Sequence, residues 1–155
     1  MGSYRPNLQY RESSSQIRLK GREISNLPSL WNERILVVDD FEPILRTVSD
    51  FFREERTVDT ARNGKEALNK VINYYYDVII SDVQMPLMDG IEFYKEACKA
   101  VPGIGRRFLF YTGSLEHEHI RFFHEHCLKF LQKPSSCREL EQAVKELLED
   151  NYFHA

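Results

Sequence analysis

Five polar residues in this chain stand where apolar runs end. They are Asp39 and Asp40 after ILVV, Asp82 after DVIIS, Thr112 after RFLFY, and Lys133 after KFLQ. Three carboxylates brought together suit a hard divalent cation, which takes oxygen ligands. A carboxylate can also attack phosphorus to form an aspartyl phosphate. A hydroxyl and an ammonium can bind the oxygens of a phosphoryl group. That chemistry needs the five residues to meet, and they are far apart in the chain. The elements between them must do the positioning.

The pattern from Arg34 onward alternates strands and helices. Strands are expected at about Arg34 to Val38, Thr57 to Ala61, Asp77 to Ser81, Arg107 to Tyr111 and Leu128 to Gln132. The third is a continuous apolar run, as a strand covered on both faces should be. The first helix carries Pro43 near its first turn, where a missing N–H costs nothing. Its apolar stripe is Ile44, Leu45, Val48, Phe51 and Phe52. Asn63 with Glu66 is a cap pair for the second helix, whose stripe is Ala67, Leu68, Val71, Ile72 and Tyr75. Asp89 with Glu92 caps the third, with Ile91, Tyr94, Cys98 and Val101 facing inward. The fourth spans roughly Leu115 to His126. Ser136 with Glu139 forms a capping box for the last, where Leu140, Val144, Leu147 and Leu148 face inward. Five βα units in succession predict a parallel α/β sheet with right-handed crossovers. Ligands then sit outside the carboxyl ends of the strands, where all five polar residues fall.

At this point the chain from Arg34 to about Tyr152 resembles a response-regulator receiver domain of two-component signalling. Asp39-Asp40, Asp82 within DVQMPLMDG, Thr112-Gly113 and Lys133-Pro134 carry the resemblance. It implies a flavodoxin-like, five-stranded parallel sheet of order 2-1-3-4-5, with five helices on both faces. It implies Mg²⁺ held by Asp40, Asp82 and the backbone carbonyl of Gln84, with Asp39 acting mostly through water. Asp82 is then the phosphoacceptor, and Lys133 and Thr112 bind the transferred group. Thr112 and Phe130 form the switch, which alters the face built from the fourth helix, fifth strand and fifth helix. Gln84 and Ser114 are placed to tune the lifetime of the phosphoryl group. Phe130 has no hydroxyl where many relatives carry Tyr, so a weaker change in surface polarity is expected. A cis Lys133-Pro134 bond is also implied. The expected phosphoryl donor is a histidine kinase or phosphotransfer protein. The output passes to a downstream protein or output domain, and a homodimer is compatible with it. The chain is expected to turn over no external metabolite and to catalyse only its own phosphorylation and dephosphorylation. The alternative within the same fold is a phosphate-independent interaction module. A phosphatase of the haloacid-dehalogenase type also uses an aspartyl phosphate, but it needs D-x-D-x-T after the first strand, and here that strand is followed by DDFEP.

Composition narrows the rest. The 155 residues carry a formal net charge of −3, which gives no general attraction to nucleic acid or membrane. Residues 1–34 hold six Lys/Arg against three acids, a net of +3, leaving −6 for the remainder. Residues 1–30 are expected to be a flexible arm or linker, with Ile17, Leu19 and Ile24 available for a short strand, and 31–155 the receiver domain. Cys98, Cys127 and Cys137 make no C-x-x-C pair, which fits a reducing cytoplasm. No apolar run reaches the length of a membrane span. His117, His119, His124 and His126 are expected at solvated helix positions, too far apart to share a metal. Tyr74, Tyr75 and Tyr76 lack interleaved basic residues and are expected to end the second helix and edge the third strand.

Overall fold

The structure, a computed structural model, describes residues 32–153. The expected arm and its possible strand residues lie outside them. The strands are β1 (Arg34–Val38), β2 (Thr57–Ala61), β3 (Val78–Ser81), β4 (Phe108–Thr112) and β5 (Lys129–Gln132). The helices are α1 (Glu42–Arg53), α2 (Gly64–Asn73), α3 (Gly90–Ala100), α4 (His117–Glu125) and α5 (Cys137–Phe153), and a 3₁₀ turn covers Ile104–Arg107. The strands form one parallel sheet in the order β2-β1-β3-β4-β5, as the sequence predicts.

Alternation along each strand divides the core. Ile35, Val37, Val78, Ile80, Leu109 and Tyr111 pack with Leu45, Val48 and Phe52 of α1 and Leu140, Val144, Leu147 and Leu148 of α5. Leu36, Val38, Ile79, Phe108 and Phe110 face the other way, against Ala67 and Val71 of α2, Phe93 and Ala97 of α3, and Phe123 of α4. Successive strand side chains point to opposite faces, so a continuous apolar strand supplies both cores.

The caps close as their residue types require. Asn63 accepts the Glu66 amide at 2.9 Å while Glu66 accepts the Arg62 amide. Asp89 accepts the Glu92 amide at 2.8 Å. Ser136 and Glu139 exchange amide bonds in a full capping box. The Lys133–Pro134 peptide is cis.

Several expectations are corrected. β4 starts and ends one residue later than expected, so Thr112 is its last residue. α4 is shorter at both ends. In α3 the buried residues are Gly90, Phe93 and Ala97, and Cys98 is exposed. Of the expected stripe, Val101 is buried and Ile91 and Tyr94 pack half-buried against the core, while Phe93, its ring 5.0 Å from that of Phe108, takes the innermost place. Ile72 of α2 is exposed. Tyr76 is fully buried rather than an edge residue. Its hydroxyl donates to Asp59 at 2.7 Å, a bond that makes its burial tolerable.

Candidate functional site

Ladder bonds beyond the regular strands bring the site together. The Asp39 amide donates to Ala61 on β2, the Asp82 amide to Val38 on β1, and the Lys133 amide to Thr112 on β4. These bonds align β1 with β2 and β3, and β5 with β4, and the Ser81–Phe110 pairing joins β3 to β4. The ligand oxygens of Asp39, Asp40 and Asp82 lie within 4.8 Å of one another. Lys133 Nζ donates to Asp39 Oδ2 at 2.5 Å and to Asp82 Oδ2 at 3.0 Å. All five residues expected from the sequence meet at this edge.

The carboxylates differ in what already occupies them. Asp39 is buried, and its other oxygen accepts the Phe41 amide at 2.9 Å. Both of its oxygens are engaged, which suits a role through water. Asp82 Oδ1 accepts the Val83 amide at 2.7 Å. Asp40 is exposed, with no hydrogen bond or ion pair to another described residue. Burial pushes the Asp39 carboxyl above its ordinary range, and the charge on Asp82 adds to this. The Lys133 and Phe41 bonds pull it back only in part. Burial alone would weaken the Lys133 ammonium, but Asp39 and Asp82 outweigh it and hold it above its usual range. An excess of negative charge over a single cation is costly unless a further cation joins it. An oxygen-only donor set of this kind fits Mg²⁺.

The loop after β3 fixes Asp82 from below. The Gly90 amide donates to Val83 at 2.8 Å. A Cβ on Gly90 would lie 2.0 Å from the Asp82 carbonyl oxygen, so only glycine lets α3 start this close to Asp82.

A cleft of ≈ 840 Å³ opens over these groups, lined by Asp40, Asp82, Thr112 and Lys133, with Gln84 and Ser114 on its walls. The Thr112 hydroxyl is held loosely. The Ser114 amide reaches it at 3.4 Å, and its own donation to the Ser114 carbonyl is 3.5 Å long, both at the limit of a hydrogen bond. Phe130 stacks on Phe123 with centroids 5.0 Å apart, and Phe123 stacks on Phe110 at 4.7 Å.

One residue of the cleft was not anticipated. His119 is half-buried and lines the cleft, so it is not the solvated helix position expected of it. Its Nδ1 is sealed from solvent without a hydrogen-bond partner, which costs about 1–3 kcal/mol. The pattern of four histidines could not single it out, because the sealing comes from tertiary packing. By contrast His117, His124 and His126 are exposed. His126 Nδ1 lies 2.9 Å from the Phe122 carbonyl.

The geometry agrees with what known proteins show. The family model of the response regulator receiver domain matches residues 35–145. The transcriptional regulatory protein ResD of Bacillus subtilis is 35% identical over 129 residues, covering 79% of this chain and 52% of that protein. A protein-glutamate methylesterase/protein-glutamine glutaminase of the same organism is 47% identical over 62 residues, 38% of this chain but 17% of that protein. The chain thus spans about half the length of one of these relatives and less than a fifth of the other. A CheY-like receiver domain from Methanospirillum hungatei superposes with a TM-score of 0.73 at 28% identity, covering 79% of this chain and 98% of that one. Chemotaxis protein CheY4 of Vibrio cholerae gives 0.67 at 31% identity, covering 75% and 98%. The dehalogenase-type arrangement is thereby set aside. With its sheet order, its acidic strand edge and a family match over most of its length, the chain belongs to the response regulator receiver domains of two-component systems.

Proposed function

We propose that this receiver accepts a phosphoryl group on Asp82 from a phosphohistidine of a histidine kinase or phosphotransfer protein. The observation that carries this reading is the pairing of one ammonium, Lys133, with both Asp39 and Asp82 in a cleft that also holds the free carboxylate of Asp40. An Asp82 carboxylate oxygen attacks phosphorus, the P–N bond of the donor breaks, and the imidazole leaves with the electron pair and is reprotonated from solvent. Lys133 offsets charge on the phosphoryl oxygens as they accumulate it. Asp40, Asp82 and the Gln84 carbonyl would hold Mg²⁺, with Asp39 behind a water. When bound, the ion neutralises charge on the transferring group.

Thr112 then turns from its long contacts with Ser114 toward the phosphoryl group. Phe130 follows into the space released, and the face made by α4, β5 and α5 changes. A local charge event thereby biases a two-state element. Gln84 and Ser114 flank the hydrolytic approach and set the phosphoryl lifetime. The chain catalyses only its own phosphorylation and dephosphorylation. The reading places it in the cytoplasm and passes the signal to a downstream protein or output domain, or to a second copy. It involves neither nucleic acid nor membrane directly. Among the described residues no helix is long and apolar enough to cross a membrane.

The test is intact mass after incubation with acetyl phosphate and Mg²⁺. One phosphoryl adduct is expected, prevented by prior EDTA and absent from Asp82→Asn. Wild-type protein that acquires no adduct would overturn the reading in favour of a phosphate-independent interaction module.

A further inference from the structure

His119 Nδ1 is the one side-chain nitrogen or oxygen, among the described residues, that is sealed from solvent and has no hydrogen-bond partner. An imidazole nitrogen is always a donor or an acceptor, so either tautomer leaves a polar atom unmet. Buried orphans of this kind are rare in native folds and call for a reason. The position of this one supplies it. His119 stands in the first turn of α4 and lines the same cleft as Asp82, Thr112 and Lys133.

The start of α4 is weakly anchored. Its N-cap, Glu116, makes no side-chain cap bond. The segment leading into it touches the site through Ser114 and its two long contacts with Thr112. The first turn, uncapped while Phe123 anchors the rest of α4 in the core, can adjust to what occupies the cleft, and its unmet imidazole has the most to gain.

We propose that His119 is a phosphoryl-binding residue, its ring turning into the cleft to donate a hydrogen bond to a phosphoryl oxygen on Asp82. The proposal rests on the reading of Asp82 as acceptor and adds a contact from α4 itself. An anion appearing in the cleft offers the acceptor that the unphosphorylated protein lacks, and charge-assisted bonds are the stronger ones. The same helix carries Phe123, on which Phe130 stacks. One bond from His119 therefore links the occupied site to the packing of the switch ring.

Beryllofluoride with Mg²⁺ serves as the probe, titrated into wild type, His119→Leu and His119→Asn, with Asp82→Asn as control. ¹⁵N spectra of the imidazoles are recorded alongside. In wild type a ring nitrogen of His119 should shift on saturation and its N–H proton become protected from exchange. His119→Leu should bind about tenfold more weakly. It should also melt higher without ligand, because the orphan is gone. His119→Asn, which keeps a short polar donor, should recover part of the affinity. Unmoved imidazole nitrogens, or equal affinity in wild type and His119→Leu, would overturn this proposal and leave Asp82 as acceptor untouched. Wild type that binds no beryllofluoride would overturn both.

Discussion

Asp59 shows how one side chain far from the cleft is governed by its donors. It sits on edge strand β2, where Arg34 Nη2 and the Tyr76 hydroxyl both donate to its Oδ2 at 2.7 Å. The Arg34 guanidinium also lies over the Tyr74 and Tyr76 rings. Burial pushes the Asp59 carboxyl up, but the Tyr76 and Arg34 bonds outweigh it and hold it below the ordinary 3.8. The same carboxylate and burial push the Tyr76 phenol well above its usual range. A carboxyl depressed on folding stabilises the native state above its unfolded value, and that contribution is lost as pH falls through the folded one. Asp59→Asn should therefore be less stable than wild type at pH 7, and the gap should close below about pH 3.8. The pair is about 30% exposed, so screening keeps the gap to about 1 kcal/mol or less. Urea denaturation at pH 7 and pH 3 measures it, and a gap that holds or widens in acid would refute the assignment.

At the scale of elements, helix starts were legible and helix faces less so. Asn63, Asp89 and Ser136 cap by short-range rules that need no tertiary information. Ser136→Ala should cost about 1 kcal/mol of stability and leave the phosphoryl adduct unchanged in an intact-mass assay. The face of α3 was different. Its sequence GIEFYKEACKA supports two apolar stripes one residue apart, Ile91-Tyr94-Cys98 and Phe93-Ala97, and tertiary packing buries the second fully while leaving Ile91 and Tyr94 half-buried at its margin. Tyr94 then closes the margin, edge-on to Phe108 and Phe122. The five site residues were legible because strand ends are local features and the topology does the rest. His119 was not, since its sealing depends on where α4 packs. Gly90 joins element to site. Helix propensity alone favours Gly90→Ala by up to about 1 kcal/mol, but the new Cβ would meet the Asp82 carbonyl at 2.0 Å. Overpacking of this kind costs about 1–3 kcal/mol. The variant should lose stability in denaturant titration and form less adduct with acetyl phosphate. An unaltered adduct level would show that α3 does not hold Asp82 in place.

Taken as a whole molecule, the fold concentrates like charge at the carboxyl edge of its sheet. The parallel order 2-1-3-4-5 puts the Asp39-Asp40 pair and Asp82 on adjacent strand ends. Among the described residues, the cation paired with them is Lys133. Stability without metal is therefore limited by the site, since folding must bring these carboxylates within 4.8 Å. An ion that binds only the native arrangement reverses this by mass action, adding about 1.4 kcal/mol when present at tenfold its Kd. That corresponds to a rise of several degrees in Tm for a domain of this size. Thermal melts with Mg²⁺ and with EDTA should show the rise in wild type. Asp40→Asn removes the exposed carboxylate of the three. It should melt higher than wild type in EDTA, because one like charge is gone, and gain little from Mg²⁺. A higher Tm in EDTA together with a lost response to Mg²⁺ separates a metal site from a merely acidic surface. An acidic surface would let Asp40→Asn and wild type respond to Mg²⁺ alike, and a wild-type Tm indifferent to Mg²⁺ would remove the ion from the mechanism.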